Sequence, residues 1–242
     1  MNLLAFELST EACSVALWVD GDVRARHEIA PRRHAEFALP WAEALLAEAG
    51  IARSQLDAIA VGRGPGAFTG VRLGVAIAQG IALALDRPAV PVSTLAALAM
   101  RAVALGAGEG DAVLAAIDAR MNEVYAARYV LVSEHGALRP LPIGDEQVLA
   151  PDAVALPEEG GARFGVGTGF AALGGVLQAR VPADWRVVDP EALPHAADVV
   201  RLAHAALLRG ESVAPEKLEP AYLRNQVALT LVEQQALRAS RA

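Results

Sequence analysis

Carboxylates at the ends of apolar strands are the first candidates for chemistry in this chain. Glu7 lies near the end of LLAFELS and is followed by Ser9, Thr10 and Glu11; Asp118 lies near the end of AVLAAIDA, just before the turn Arg120-Met121-Asn122. In a two-lobed nucleotide fold, carboxylates so placed could hold a metal-phosphate complex, which makes Glu7, Ser9, Thr10 and Asp118 the candidate phosphate region. The competing reading is turn capping and solvated charge.

A glycine loop follows the next strand. GRGPGAFTGVRLG, from Gly62 to Gly74, stands between LDAIAVG and a long helical run, where a phosphate cradle would be expected. A Walker-type loop needs a lysine beside its closing Ser or Thr, and the sole lysine, Lys217, is far from any glycine loop. The dinucleotide spacing is met formally by Gly62, Gly64 and Ala67, and again by Gly167, Gly169 and Ala172. No acidic residue closes the strand after the first, and Pro65 removes an amide that a pyrophosphate would use. The other reading makes the glycines turn and packing devices, with Thr69 capping the helix.

Other chemistries find fewer residues. The five histidines contain no pair three or four apart, which excludes a zinc-peptidase helix, and no GxSxG elbow occurs. Cys13 excludes an internal disulfide and reads as a small buried hydrophobe. The net charge of -7 argues against gripping nucleic acid directly, because that needs clustered cations. No secretory signal is evident, and polar residues interrupt the apolar runs before membrane-spanning length, so a soluble cytoplasmic protein is expected.

The elements that would position these residues repeat. Three short strands, hinged at Asp20-Gly21-Asp22, lead to a helix ending at Gly50, a buried strand, the glycine loop with its helix, the strand AVPVS and a helix capped by Ser93 or Thr94. After the break GAGEGD a second strand cluster starts in the same way. The expected class is α/β with duplicated strand-rich and helical units: residues 1–105 form one lobe, 106–214 a second and 215–242 a tail.

Within the glycine-loop helix, Gly70, Gly74, Ala78 and Ala82 recur every four residues, and each interior glycine costs about 1 kcal/mol relative to alanine. Close approach of another helix would offset that cost, from this chain or from a partner. The preceding helix spreads Phe37, Trp41 and Leu45 around more than one face, which favours a partner. Phe37, Trp41, Leu45, Gly70, Gly74 and Ala78 are therefore the expected partner-binding residues.

The pieces taken together carry a resemblance. LLAFELSTEACSVALWVDG, RRHAEFALP, GRGPGAFTGVRLGVAIAQGIALAL, IDARMNEVYAARY and PAYLRNQVA, in that order, closely resemble the TsaB family, formerly YeaZ. GPGxFTGxRxG is the most specific. The resemblance implies a two-lobed actin-like ATPase fold and a role in bacterial synthesis of threonylcarbamoyladenosine, the modified adenosine 3′ of the tRNA anticodon. It implies a non-catalytic subunit that pairs with the paralogous transferase TsaD through the first helices, with TsaE supplying an ATPase cycle, a homodimer when alone, and tRNA met only through the complex. Glu7 stands where the family usually has Asp and Ala67 where it often has Ser, so neither metal nor cofactor is expected on this chain. The alternative is a small-molecule kinase or ATPase of the same fold, with Glu7 and Asp118 around a magnesium-nucleotide.

Overall fold

Apolar runs separated by tight turns pair with their neighbours first. In the computed structural model, which describes residues 1–157 and 161–224, β1 (Asn2–Glu7), β2 (Ala12–Val19) and β3 (Asp22–Ile29) form an antiparallel meander. Asp20 and Gly21 make its second turn with φ of 48° and 99°, the left-handed geometry that two-residue hairpins favour. α1 (His34–Ala49) continues through Pro40 and stops at Gly50, whose φ is 69°. β4 (Ala58–Gly62) then pairs parallel to β1, and after α2 (Phe68–Leu85) β5 (Ala89–Val92) pairs parallel to β4. The sheet order is β3-β2-β1-β4-β5.

The second half repeats the plan. α3 (Thr94–Ala99), capped by the Ser93 hydroxyl accepting from Ala96 N at 3.1 Å, and α4 (Arg101–Ala104) lead to it. β6 (Ala112–Arg120), β7 (Glu123–Glu134) and β8 (Ala137–Pro142) form a meander, β9 (Gln147–Leu149) also pairs with β7, and β10 (Arg163–Val166) and β11 (Val187–Asp189) add in parallel beyond β6. α5 (Ala172–Ala179) lies between β10 and β11. The order β11-β10-β6-β7-β8 has the same connectivity and strand senses as the first sheet, which is the expected duplication.

Packing crosses the expected boundary at residue 105. α1 and α2 cover one face of the first sheet, over Leu4, Phe6, Val15 and Val61. The opposite face, with Leu3, Ala5, Ala16 and Ala60, is covered by α6 (Ala196–Leu208), which comes from the second half. Conversely Leu95, Leu98 and Ala102 of α3 and α4 pack against Val113, Ala115 and Ile117 of the second sheet. Strands alternate their side chains between faces, so a helix with one apolar stripe can join whichever sheet face lacks a cover.

Candidate functional site

The glycine loop is seated on the β1–β2 turn. Ala67 N donates to Ser9 O at 2.7 Å, and a Cβ on Gly66 would lie 2.8 Å from Ser9 Cβ. At Gly70 a Cβ would overlap Leu8 O. These glycines are absent side chains that let two backbones touch, and the amide that a phosphate would need at Ala67 is bonded within the chain. α2 starts at Phe68 with Ala67 as its N-cap and no capping side chain, so the expected Thr69 cap does not form; Thr69 is exposed one residue inside the helix. Gly167 and Gly169 do a similar job against Ala116, where added Cβ atoms would strike its carbonyl and side chain.

Glu7 lies behind this seam with no solvent exposure. Ser9 N donates to its Oε1 at 2.8 Å, the Ser9 hydroxyl donates to the same oxygen, and Thr94 Oγ1 donates to Oε2 at 3.1 Å. Gly64 N donates to Thr94 Oγ1 at 3.2 Å, which ties the loop to the carboxyl. Gly62 makes the space, since a Cβ there would overlap the Glu7 carboxylate. Burial pushes the Glu7 pKa up, and the hydrogen bonds from Ser9 and Thr94 pull against it. Thr10 is buried beside it, its carbonyl accepting from His34 Nε2 at 3.0 Å. His34, which also reaches Ala12 O at 3.2 Å, pins the turn from the first residue of α1.

Asp118 belongs to the second sheet and is engaged by its own hairpin. Its carboxylate accepts from Arg120 N at 2.8 Å and pairs with the Arg120 guanidinium at 2.9 Å. Glu7, Ser9 and Thr10 thus come together as a sealed polar cluster, whereas Asp118 is committed to a turn. The residues do not fit a magnesium-nucleotide held by Glu7 and Asp118: the first carboxylate has no open face, and the loop that would cradle phosphate rests directly on Ser9. Among the described residues no group of three or more His, Cys, Asp or Glu is placed to hold a metal ion. Cys13 is buried and its thiol is pushed up to about 12 by burial, as befits a core residue.

The partner-binding residues expected on the helices divide between two faces. Gly70, Gly74, Ala78 and Ala82 all point inward. A Cβ at Gly74 would lie 3.3 Å from Val61 Cγ2 and 3.7 Å from Leu8 Cβ, so the small-residue stripe serves contact with β1 and β4 of the same chain. This corrects the expectation that the stripe is bare for a partner. Leu45, at 1% exposure, is likewise core. Phe37 and Trp41 are half-buried and stacked at 5.0 Å, sharing their remaining surface with solvent.

α2 has a second apolar side. Phe68, Ala76 and Leu83 are exposed on its outer surface, Phe68 and Leu83 by more than half, Leu73 and Ile77 at its edge are partly buried against the core, and a Cβ on Gly80 would meet nothing within 4 Å. Two apolar faces make α2 long and apolar enough to cross a membrane by length and composition, with mean hydropathy 1.6. Its inner face is filled by the sheet; the outer one carries more apolar surface than a solvated helix needs.

The C-terminal segment borders that face. Val213 bridges Ala89, Leu218 enters the core under α2, and Ala221 N donates to Arg63 O at 2.8 Å. Arg72 Nε then donates to Tyr222 Oη at 2.8 Å, and Arg224 reaches the second lobe, bonding Ala119 O at 3.3 Å and pairing with Glu123.

Residues 27–230 match the family model of TsaD, tRNA N6-adenosine threonylcarbamoyltransferase. The chain is 42% identical over 234 residues to the tRNA threonylcarbamoyladenosine biosynthesis protein TsaB of Escherichia coli, covering 94% of this chain and 96% of that protein. With the TsaB of Haemophilus influenzae it shares 40% identity over 231 residues, 94% of this chain and 95% of that one. A solved structure of YeaZ from Pseudomonas aeruginosa is 47% identical with a TM-score of 0.82, covering 92% of this chain and 99% of the other. The chain belongs to the TsaB family.

Its two sheets are accordingly the two lobes of an actin-like fold. Three of the TsaB-like stretches, distant in sequence, meet in space: GPGAFTGVRLG through Arg72, PAYLR through Tyr222 and Arg224, and ARMNEVY through Glu123. Asn225 to Ala228 of the last stretch, and the tail beyond, lie outside the described residues. Reading the sequence missed the outer residues Ala76, Gly80 and Leu83. Their signal was a second i, i+3, i+4 series in α2, masked by the more conspicuous small-residue one.

Proposed function

We propose that this chain is an accessory subunit of bacterial threonylcarbamoyladenosine synthesis that pairs with the transferase TsaD and activates it, performing no transfer itself. The observation that carries the reading is α2, whose inner face is used by its own sheet while Phe68, Ala76, Gly80 and Leu83 are exposed on its outer side, with Leu73 and Ile77 at the edge of that side only partly buried, as are Phe37 and Trp41 of α1. An apolar helix face of this kind gains free energy when another helix covers it, and a bare Gly80 lets that helix approach closely. Docked there, the chain holds the transferase in its active conformation. Alone, the same face pairs with a second copy.

The sealed Glu7 cluster supports the view that this chain carries no nucleotide or metal of its own. Its acidic balance supports a contact with tRNA made only through the complex, with TsaE joining that complex in the cytoplasm. Mass spectrometry of nucleosides after reconstituting TsaD and TsaE with tRNA tests the function. The modified adenosine should form with this chain and fall to background without it or with Gly80→Leu, whose added Cβ meets nothing within 4 Å in the monomer. Formation at an undiminished rate without the chain would refute an activating role. Calorimetry of the isolated chain with ATP and magnesium should give no binding heat; tight binding with turnover would replace this reading by the kinase or ATPase one.

A further inference from the structure

We propose that Arg72 is a preset charged anchor of the docking face, clamped by the C-terminal strap so that it receives a carboxylate of the TsaD-type partner. This rests on the docking reading above and adds to it a specific ionic contact and a role for residues 221–224. The Arg72 guanidinium lies 3.7 Å over the Phe68 ring and 5.5 Å from the Tyr222 ring, and its Nε donates to Tyr222 Oη at 2.8 Å. The two rings are 6.3 Å apart, so the cation sits against both. Nε is used, leaving the paired Nη edge as the recognition surface.

That edge is free of acid. Among the described residues no carboxylate lies within ion-pair distance of Arg72, nor of Arg32 or of Arg87, which bonds the carbonyls of Ser54 and Leu56, whereas Arg33, Arg53 and Arg63 of the same lobe are paired. In a chain of net charge -7, an exposed arginine held in one orientation without an acidic neighbour is suited to an acid from outside. The guanidinium fork matches a carboxylate with two parallel hydrogen bonds, and holding it in place beforehand removes the rotamer freedom that binding would otherwise have to freeze. The occupant is argued from position. Arg72 precedes Ala76 and Gly80 by one and two turns on the outer face, with Leu83 one further turn along the same side, so a chain covering Ala76, Gly80 and Leu83 passes over it. An RNA phosphate would find this single cation on an acidic protein without the clustered charge that holds a backbone.

The test measures the affinity of purified TsaD for the full-length wild type, Arg72→Ala, Arg72→Lys, Tyr222→Phe and Gly80→Leu, at low and high salt, with urea midpoints confirming folding. Arg72→Ala should weaken pairing by about 30-fold and Arg72→Lys by less, as expected for a central charged hot spot. Tyr222→Phe, which keeps the ring and frees Nε, should weaken it about threefold to tenfold, and the Arg72→Ala deficit should shrink as salt rises. If Arg72→Ala binds within twofold of wild type while Gly80→Leu does not bind, the anchor is refuted and the docking face stands. If Gly80→Leu also binds normally, the face itself is wrong and the anchor falls with it. An Arg72→Ala defect seen only in retention of tRNA by the reconstituted complex would assign the arginine to phosphate and overturn the proposal.

Discussion

Glu7 is a carboxyl group without water, and its stability is tied to pH through its neighbours. Burial raises its pKa above the ordinary 4.5, so above that pH the folded chain keeps a proton that the unfolded chain has released. Its contribution is full below pH 4.5 and is lost as pH rises through the folded pKa. Glu7→Gln keeps an acceptor for Ser9 and cannot ionise; its urea midpoint should therefore rise relative to wild type between pH 4.5 and 8, and a difference independent of pH would contradict the account. His195 works in the other direction. It stacks on His27 at 3.8 Å beside a cavity of about 250 Å³ that Arg101 also lines. Burial, then the charges of Arg101 and His27, push it down to about 4 from 6.5. The unfolded chain takes up a proton over that interval and the folded chain does not, so stability falls as pH drops from 6.5 toward 4. His195→Phe, which keeps a ring on His27, should flatten that acid limb of the urea midpoint. Cys13 as a core residue and the absence of a closely spaced histidine pair were legible at this scale from residue types alone. The sealing of Glu7 was not, because it depends on Gly62 and Thr94, which are 55 and 87 residues away.

α2 has two faces and the sequence distinguishes them poorly. The recurrence of Gly70, Gly74, Ala78 and Ala82 was plain, and so was the need for something to offset two helical glycines. Periodicity marks which residues share a face, however, and says nothing about what covers it. Here β4 and the turn after β1 cover it: Leu8 O leaves no room for a Cβ at Gly70, and Val61 Cγ2 would lie only 3.3 Å from one at Gly74. Gly74→Leu is thus expected to damage the monomer rather than the pairing. With Val61 Cγ2 at 3.3 Å from the added Cβ, overpacking should cost about 1–3 kcal/mol in urea unfolding. An unaltered midpoint would mean that the helix stands off its sheet. The strands themselves were legible: the meander β1–β3 follows from short apolar runs around Asp20-Gly21, and the second meander from Arg120-Met121-Asn122. The partners of the late helix were not. α6 shows a helical stripe in sequence, but its choice of the first sheet is decided by which face lacks a cover.

Both lobes share helices across the middle of the chain, and the strap ties them a second time. Arg224, 15% exposed at its side chain, joins the segment that passes under α2 to Ala119 and Glu123 of the other lobe. Arg224→Ala should destabilise the molecule by about 1.5–3 kcal/mol, the range for hydrogen bonds to charged groups, and should speed amide exchange at the β6–β7 hairpin before it does so in α1. Equal exchange in wild type and Arg224→Ala would show that the strap carries no load between lobes. Such ties suit a subunit that offers a fixed face instead of opening and closing around a nucleotide. The duplicated plan was visible in the sequence as two strand clusters around GAGEGD; the strap was not, since neither spacing nor composition links Tyr222 to a helix 150 residues earlier. If the open side of α2 is where this molecule acts, Gly80 is the position that tests it most directly. Its Cβ position is empty, so Gly80→Leu should leave the unfolding free energy from urea titration within about 1 kcal/mol of wild type or raise it, as leucine is the better helix former. In calorimetry against TsaD, the same variant should bind at least about 100-fold more weakly, because the side chain fills the point of close approach. Wild-type affinity from a normally folded Gly80→Leu chain would contradict the account.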